Sequence, residues 1–162
     1  ILGNAPGILE SKTVLYIGAQ PDRFVLGPDL MRSSTVTLVE IHKPYCVQFR
    51  KAYPDLEVQN LDVLDFLSQD DRKFESVFWW HGPEHVEKAR GLKIIRLLGE
   101  RASRLTVLGV PLEKSRYQGR HENPADRHVS AWSHNDLERL GFKTVTTPHG
   151  HVAVRRQGTD AG

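Results

Sequence analysis

A short apolar strand that breaks into a glycine turn constrains the fold of this chain more than any other feature. Residues 14–17 form an apolar run rich in β-forming side chains, and Gly18 ends it. In an open α/β sheet, a turn of this kind at the end of a parallel strand is where a small-molecule cofactor binds. The pattern therefore predicts a first strand that leads directly into a binding turn.

Strand-like and helix-like segments alternate along the rest of the chain. Further strands are predicted at 36–39, 57–61, 76–80 and 105–110, with a helical segment after each of the first three. Two alternating strands at 143–147 and 151–155 are joined by a hairpin-like turn. This order predicts a doubly wound, Rossmann-like α/β fold, with a seven-stranded, mostly parallel sheet and a C-terminal antiparallel β-hairpin.

Proline, serine and glycine residues mark the predicted ends of the helices. Pro44 suits a first helical position, and Pro83 is predicted to open a longer helix that continues to Leu98. Ser133 can cap a helix that stops at Gly141. The segment 113–132 has no strong period and is predicted to be a long loop, which in a compact domain is usually functional or mobile.

Length and composition fit one globular domain. The chain has 162 residues, of which 39% are hydrophobic and 26% charged, enough for a buried core. We assign residues 13–157 to the domain, 1–12 to an N-terminal extension and 158–162 to a disordered tail. Because the chain starts at Ile1 rather than Met, we interpret it as a fragment, and residues 1–9 lack the basic start of a signal peptide.

Charge and cysteine content bear on the expected partners and on the expected compartment. A net charge of +2 gives no support for a nucleic-acid partner or an anionic membrane, and no apolar run approaches the roughly 20 residues that span a bilayer. The single cysteine, Cys46, excludes an intrachain disulfide and favours a reducing compartment, so we expect a cytoplasmic location. Nothing in the sequence predicts an oligomeric state.

Four short motifs, in this order and at this spacing, carry a resemblance to a known family. They are V-L-Y-I-G-A-Q at 14–20, V-T-L-V-E at 36–40, N-L-D at 60–62 and L-E-R-L-G-F at 137–142. The chain resembles the class I S-adenosylmethionine-dependent methyltransferases over nearly its whole length. The stretches W-H-G-P-E-H at 80–85 and N-P-A-D-R-H-V-S-A-W at 123–132 are similar to segments of small bacterial methyltransferase-like proteins. The resemblance implies S-adenosylmethionine as cofactor and O- or N-methylation of a small-molecule or glycan-like acceptor.

An acidic residue ends the second predicted strand. Glu40 lies 22 residues after Gly18, and a carboxylate there can accept both ribose hydroxyls, as the acid of the Rossmann fingerprint does. The resemblance implies the same role on the ribose of S-adenosylmethionine, with Ile41 flat against the adenine. The alternative is a solvated acid at the end of a strand.

A second acid follows the third predicted strand. The resemblance implies that Asp62 accepts a hydrogen bond from the adenine amino group while Val63 donates its backbone N–H. Asp is also a favoured helix N-cap residue, so both interpretations stay open. The resulting set of predicted cofactor-binding residues is Ile17, Gly18, Ala19, Gln20, Glu40, Ile41, Asp62, Val63 and Trp80.

The glycine turn separates two cofactor classes. A dinucleotide site needs G-x-G-x-x-G for close approach to a pyrophosphate, whereas here Gly18 is followed by Ala19, Gln20 and Pro21. The missing glycines disfavour an NAD-dependent enzyme, which is kept as a third interpretation. The second interpretation, which the single glycine favours, is a non-catalytic S-adenosylmethionine-binding or scaffold module with a degenerate methyltransferase fold. Gln20 or Asp22 could meet the ammonium group of an amino-acid ligand.

The end of the fourth predicted strand, F-W-W-H-G-P-E-H at 78–85, is rich in functional side chains. His81 is predicted to be a general base for a hydroxyl or amine acceptor, since its ordinary pKa lies near neutral pH. Metal binding by His81 and His85 around Glu84 is an alternative, although the spacing is not H-E-x-x-H. A purely structural role is the third. We assign no metal here, and the lack of an Asn/Asp-Pro-Pro-aromatic motif argues against methylation of nucleic-acid bases.

The long predicted loop carries many hydrogen-bonding groups, and loops often carry function. It could cover the site and orient the acceptor, or it could be pinned to the domain through His128, Ser130 and Trp132. We assign catalytic roles to two histidines, His81 and His128. The predicted substrate-binding residues are Glu84, His85, Tyr117 and Asn123.

Overall fold

The structure is a computed structural model, and it describes residues 8–112 and 123–158. Within these ranges, seven strands form one sheet in the spatial order β3-β2-β1-β4-β5-β7-β6. The strands are β1 (Thr13–Ile17), β2 (Thr35–Val39), β3 (Glu57–Gln59), β4 (Phe74–Trp80), β5 (Ala102–Val110), β6 (Lys143–Thr147) and β7 (Gly150–Arg156). The predicted fold class is confirmed.

Helices cover both faces of the sheet. In the described ranges they are α1 (Gly27–Ser33), α2 (Lys43–Ala52), α3 (Val63–Gln69), α4 (Lys88–Arg101) and α5 (His134–Arg139). Short 3-10 turns occupy Ile8–Glu10, Pro21–Arg23, Pro83–His85 and Pro124–Asp126. No helix in the described part of the chain is both long and apolar enough to cross a membrane.

Strand direction follows the predicted scheme. β1 pairs in parallel with β2 and β4, and β3 and β5 extend the parallel sheet on either side. β7 is antiparallel to both β5 and β6, as a closing hairpin requires. The chain order reverses between β1 and β4, so a crevice opens at their carboxyl ends, where open α/β sheets bind ligands.

Two apolar clusters, one on each face, make up the core. One includes Leu30, Cys46 and Phe49 from α1 and α2, and the other includes Phe66, Ile94, Ile95, Leu98, Trp132 and Leu137 from α3, α4, α5 and the segment before α5. Cys46 is fully buried, and its Sγ donates to the backbone oxygen of Glu40 over 3.3 Å. The cysteine therefore faces the sheet, as predicted.

The prediction that a helix starts at Pro83 is wrong for the first turn of that helix. Pro83–His85 is an isolated 3-10 turn, and the extended backbone of Val86 (φ −124°, ψ 152°) separates it from α4. His81 has a positive φ of 50°, which also breaks the chain direction after β4. The buried residues of α4 are Gly91, Ile94, Ile95 and Leu98.

The predicted boundaries of the other elements differ by a few residues. β3 ends at Gln59 instead of residue 61, while β4 and β5 begin two and three residues earlier than predicted, at Phe74 and Ala102. The predicted cap of α5 is confirmed, because the Ser133 hydroxyl accepts the backbone N–H of Asp136 and the Asp136 carboxylate accepts that of Ser133.

Candidate functional site

A cleft of about 700 Å³ opens at the carboxyl ends of β1, β2 and β4. It is lined by each of the predicted site residues that the structure describes. These are Ile17, Gly18, Ala19, Gln20, Glu40, Ile41, Asp62, Val63, Trp80, His81, Glu84, His85, Asn123 and His128. Tyr117, predicted to bind substrate, lies outside the described residues. The topology thus brings together residues that are more than 100 positions apart in the chain.

Gly18 forms the floor of the cleft in a conformation that favours glycine. Its φ is +65°, a region that side-chain-bearing residues rarely adopt, and its N–H donates to Val39 O over 2.8 Å. A Cβ placed there would meet nothing within 4 Å. The left-handed turn, and not local crowding, therefore requires glycine here, and the space above it is open to a ligand.

Glu40 is buried at the tip of β2, so the interpretation as a solvated acid is wrong. Only 6% of the residue is exposed, and its carboxylate accepts the backbone N–H groups of Ala19 (3.0 Å) and His42 (2.6 Å). Burial raises the pKa of Glu40 above its ordinary value, with a further rise from the nearby charge of Asp126, while the two amides lower it. The acid thus ties the glycine turn of β1 to the end of β2.

Asp62 caps α3, the alternative that the sequence left open. Its Oδ1 accepts the backbone N–H of Leu64 over 2.8 Å, and Arg90 lies 2.7 Å from both carboxylate oxygens. Val63 is the first residue of α3 and lines the cleft. Ile41 is 52% exposed, unusual for a large apolar side chain, and forms an apolar wall of the same cleft.

His81 stands in a left-handed conformation directly after β4. A positive φ is uncommon for a residue with a side chain, and such strain is concentrated at functional sites. Its Nδ1 lies 2.9 Å from Oε1 of Glu84, which is only 1% exposed, whereas the His81 side chain is 46% exposed. The buried carboxylate therefore orients an imidazole that otherwise faces open space.

The segment after Asn123 is pinned to the turn at Pro83–His85. The backbone N–H groups of Val129 and Ser130 both donate to Glu84 O, over 2.8 and 3.1 Å. The Ser130 hydroxyl donates to Pro83 O over 3.0 Å and accepts from Trp132 Nε1 over 3.0 Å. These hydrogen bonds attach the segment to the turn through Ser130, and Trp132 donates to the same hydroxyl, as the sequence suggested for these two residues.

Asp126 is a cleft residue that the sequence analysis left out of the site. It is 6% exposed, and Gln20 Nε2 donates to its Oδ1 over 2.9 Å, which joins the glycine turn to the segment 123–133. Asn123 caps the 3-10 turn that carries Asp126, by accepting the N–H of Ala125. The N-P-A-D run was visible in the sequence, but its contact with Gln20, 106 positions away, was not.

Comparison with solved structures identifies the fold. DhpI in complex with SAM and HEP aligns with a TM-score of 0.73 at 15% identity, over 96% of this chain and 83% of that one. The N-methyltransferase NodS from Bradyrhizobium japonicum aligns with a TM-score of 0.65 at 12% identity, over 91% and 86%. Magnesium protoporphyrin IX methyltransferase from Synechocystis, with bound SAM, aligns with a TM-score of 0.64 at 16% identity, over 95% and 74%.

Sequence comparison adds no closer relative, since no protein-family model and no curated protein matches the chain. The likeness is therefore one of architecture, at identities below 20%. Strand order, the antiparallel β7 and the crevice beside β1 agree with it. The chain thus has the fold of the class I S-adenosylmethionine-dependent methyltransferases.

Proposed function

We propose that the cleft binds S-adenosylmethionine and that the protein transfers its methyl group to a hydroxyl or amine of a small-molecule or glycan-like acceptor. One observation carries this proposal. The left-handed turn at Gly18 and the buried carboxylate of Glu40 meet where the strand order reverses, and they line a cleft of about 700 Å³. That is where open α/β sheets bind nucleotide-like ligands.

The residues around the turn fit an adenosine group. In this proposal the ribose hydroxyls donate to the Glu40 carboxylate, and the adenine packs on the exposed side chain of Ile41. In the same proposal, Val63 donates its backbone N–H to the adenine. Asp62 can accept from the adenine amino group only while it also holds Arg90, since that guanidinium already contacts both of its oxygens.

Unpartnered acceptor atoms near the turn fit the ammonium group of the methionine part. Gln20 Oε1 and Asp126 Oδ2 are buried and have no hydrogen-bond partner among residues 8–112 and 123–158. Buried acceptors without partners are costly, and a donor such as an ammonium group satisfies them. Asp126 also supplies negative charge opposite that group.

His81 is the proposed general base. With Nδ1 donating to the Glu84 carboxylate, Nε2 is the ring atom left to take the proton from the acceptor hydroxyl or amine. Bound S-adenosylmethionine supplies an electrophilic methyl group on its sulfonium. The protein's own contribution is to hold the acceptor in line and to remove its proton.

A non-catalytic module is the second candidate, favoured by the turn itself. Gly18 is followed by Ala19-Gln20-Pro21, and the Glu40 carboxylate is already engaged by two backbone amides. An NAD-dependent enzyme is the third candidate. This turn lacks the glycine-rich loop that a pyrophosphate needs. The NAD candidate differs from the other two in its ligand. A non-catalytic module that still binds S-adenosylmethionine differs from the first candidate only in the absence of methyl transfer.

Calorimetric titration of the full chain with S-adenosylmethionine, S-adenosylhomocysteine and NAD tests the proposal. We expect binding of the first two at one equivalent, with affinity reduced about 10- to 100-fold in Glu40→Gln, as expected for lost hydrogen bonds to a charged group. Glu75→Gln is the matched control, because Glu75 lies in β4 outside the cleft lining and accepts the Lys12 N–H. Binding of NAD alone would support the third candidate, and no binding the second.

A further inference from the structure

Three residues in the cleft bring metal-binding atoms together. Ligand atoms of Glu84, His85 and His128 all lie within 4.8 Å of one another. Nε2 of His85 and Nε2 of His128 are each 3.9 Å from Glu84 Oε1, and the two imidazole centroids are 5.0 Å apart. We propose that these three side chains form a binding site for one divalent transition-metal ion, next to the region assigned to methyl transfer.

The hydrogen bond on the far side of His85 determines which of its nitrogens carries the proton. Nδ1 lies 3.2 Å from the backbone oxygen of Arg127, which can only accept, so Nδ1 is the protonated nitrogen. In the neutral ring, Nε2 then points a lone pair toward carboxylate oxygens of Glu84 and Asp126, both at 3.9 Å. Metal-binding histidines have this arrangement, with the other ring nitrogen donating to a carbonyl or carboxylate.

Burial of the Glu84 carboxylate gives a second reason for a cation. Glu84 is 1% exposed, and its Oε2 has no hydrogen-bond partner among the described residues. A buried acid with an unpartnered oxygen is expensive unless positive charge compensates it. A divalent ion bound by this carboxylate and the two imidazoles supplies that charge.

The spacing suits an ion better than direct hydrogen bonds. Distances of 3.9 Å from each imidazole to Glu84 Oε1 exceed hydrogen-bond length. Four ligands at about 2.1 Å around a tetrahedral ion lie roughly 3.4 Å from one another. Two of the three ligand-atom separations thus exceed this spacing by about half an ångström, and the third is at most 4.8 Å, so side-chain rotations would close the site.

The kind of ion follows from the ligand chemistry. Two imidazoles and one carboxylate suit Zn²⁺, Fe²⁺ or a neighbouring first-row ion, whereas Mg²⁺ and Ca²⁺ prefer oxygen ligands. Three protein ligands leave at least one coordination position for water or for an acceptor oxygen. All three residues line the cleft, so that position is accessible to a small molecule there.

The backbone holds the two halves of this site together. Glu84 and His85 come from the 3-10 turn after β4, and His128 comes from the segment that follows Asp126. The N–H groups of Val129 and Ser130 on Glu84 O set the two segments side by side. The sequence suggested His81 as a metal ligand with His85. In the structure His81 Nδ1 instead makes a hydrogen bond with Glu84 Oε1, and His81 is not one of the three proposed ligands.

Metal titration of the EDTA-treated full chain, without S-adenosylmethionine, tests this proposal. We expect one equivalent of Zn²⁺ to bind by calorimetry, one equivalent of Co²⁺ to give visible d–d bands, and bound Zn²⁺ to raise Tm. His85→Asn and His128→Asn should each weaken Zn²⁺ binding by more than about 100-fold. Loss of a residue that only hydrogen-bonds to a metal ligand already lowers metal affinity roughly 10- to 100-fold.

His134→Asn is the matched control. His134 also pairs with a carboxylate, Glu138 at 3.2 Å, yet it lies outside the cleft lining, and this variant should bind Zn²⁺ as the parent chain does. Equal Tm values of all variants without metal show that they fold. Absence of stoichiometric binding, or binding unaffected by both cleft substitutions, would overturn the site. Because S-adenosylmethionine is absent from this titration, neither result bears on the methyltransferase proposal, which the cofactor titration tests separately.

Discussion

Burial and hydrogen bonding act in opposite directions on the Glu40 carboxyl group. Removal from water raises its pKa, the N–H groups of His42 and Ala19 lower it, and the net shift is upward. Because the folded-state pKa lies above the unfolded value, ionisation of Glu40 costs stability as the pH rises from about 4.5 through the folded pKa. A carboxyl group whose pKa is raised by burial is typical of functional sites.

We predict that affinity for S-adenosylmethionine increases with pH through the raised pKa of Glu40. Ribose hydroxyls donate to the carboxylate but not to both oxygens of the protonated acid, so ligand binding releases a proton in this range. Calorimetry between pH 4.5 and 8 should show the midpoint above the ordinary glutamate value of 4.5. In Glu40→Gln this dependence should disappear; the same curve in both proteins would contradict the ribose role.

The helix α5 shows how a local cap stabilises an element of six residues. Ser133 and Asp136 exchange hydrogen bonds at its first turn, and Lys88 Nζ lies 2.7 Å from Asp136 Oδ2. The Lys88 ammonium, helped by the Ser133 N–H, lowers the pKa of Asp136 from 3.8 to about 2. This stabilisation is therefore present above about pH 3.8 and is lost as the pH falls toward 2.

Removing the cap hydroxyl should destabilise the protein measurably. We predict that Ser133→Ala lowers the free energy of unfolding by ~1 kcal/mol, because the N–H of Asp136 loses its acceptor. Ser68→Ala is the control, since that exposed hydroxyl in α3 only donates to Asp65 O within its own helix. Urea denaturation followed by circular dichroism gives both values, and equal effects of the two substitutions would contradict the capping argument.

Over the whole molecule, Trp132 joins the site segment to the core. It is among the largest fully buried side chains, and a Cβ on Gly91 of α4 would lie 2.6 Å from its ring carbon Cζ2. The small residue on the helix is therefore what allows the indole to lie under the segment 123–133. Packing of α4 and placement of the cleft residues are coupled at this contact.

Alanine substitutions at two glycines of α4 should differ in how much they destabilise the protein. Gly91→Ala should lower the free energy of unfolding by about 1–3 kcal/mol, because overpacking against Trp132 exceeds the gain in helix propensity. Gly99→Ala should change stability less, because its Cβ would meet the terminal guanidinium of Arg155, which can move but which donates to Leu140 O. Thermal unfolding of both variants tests the pair. A stabilised Gly91→Ala protein would show that the Trp132 contact is not tight.

Most of the architecture could be predicted from the residues alone because it is recorded in local patterns. Apolar runs such as 14–17 identify buried strands, and Ser133 and Gly141 mark the ends of α5 through cap chemistry confined to one turn. The predicted helix start at Pro83 was wrong because proline suits the first position of a 3-10 turn as well as that of an α-helix.

The arrangement of the site required the folded chain. Amino-acid order was enough to indicate the sheet, the glycine turn and the acid at the tip of β2, since each depends on neighbours along the chain. The contacts of Gln20 with Asp126, and of Glu84 with His128, join segments 106 and 44 positions apart. No local pattern records such pairs, because they form only when strand order and loop packing bring distant segments to one edge of the sheet.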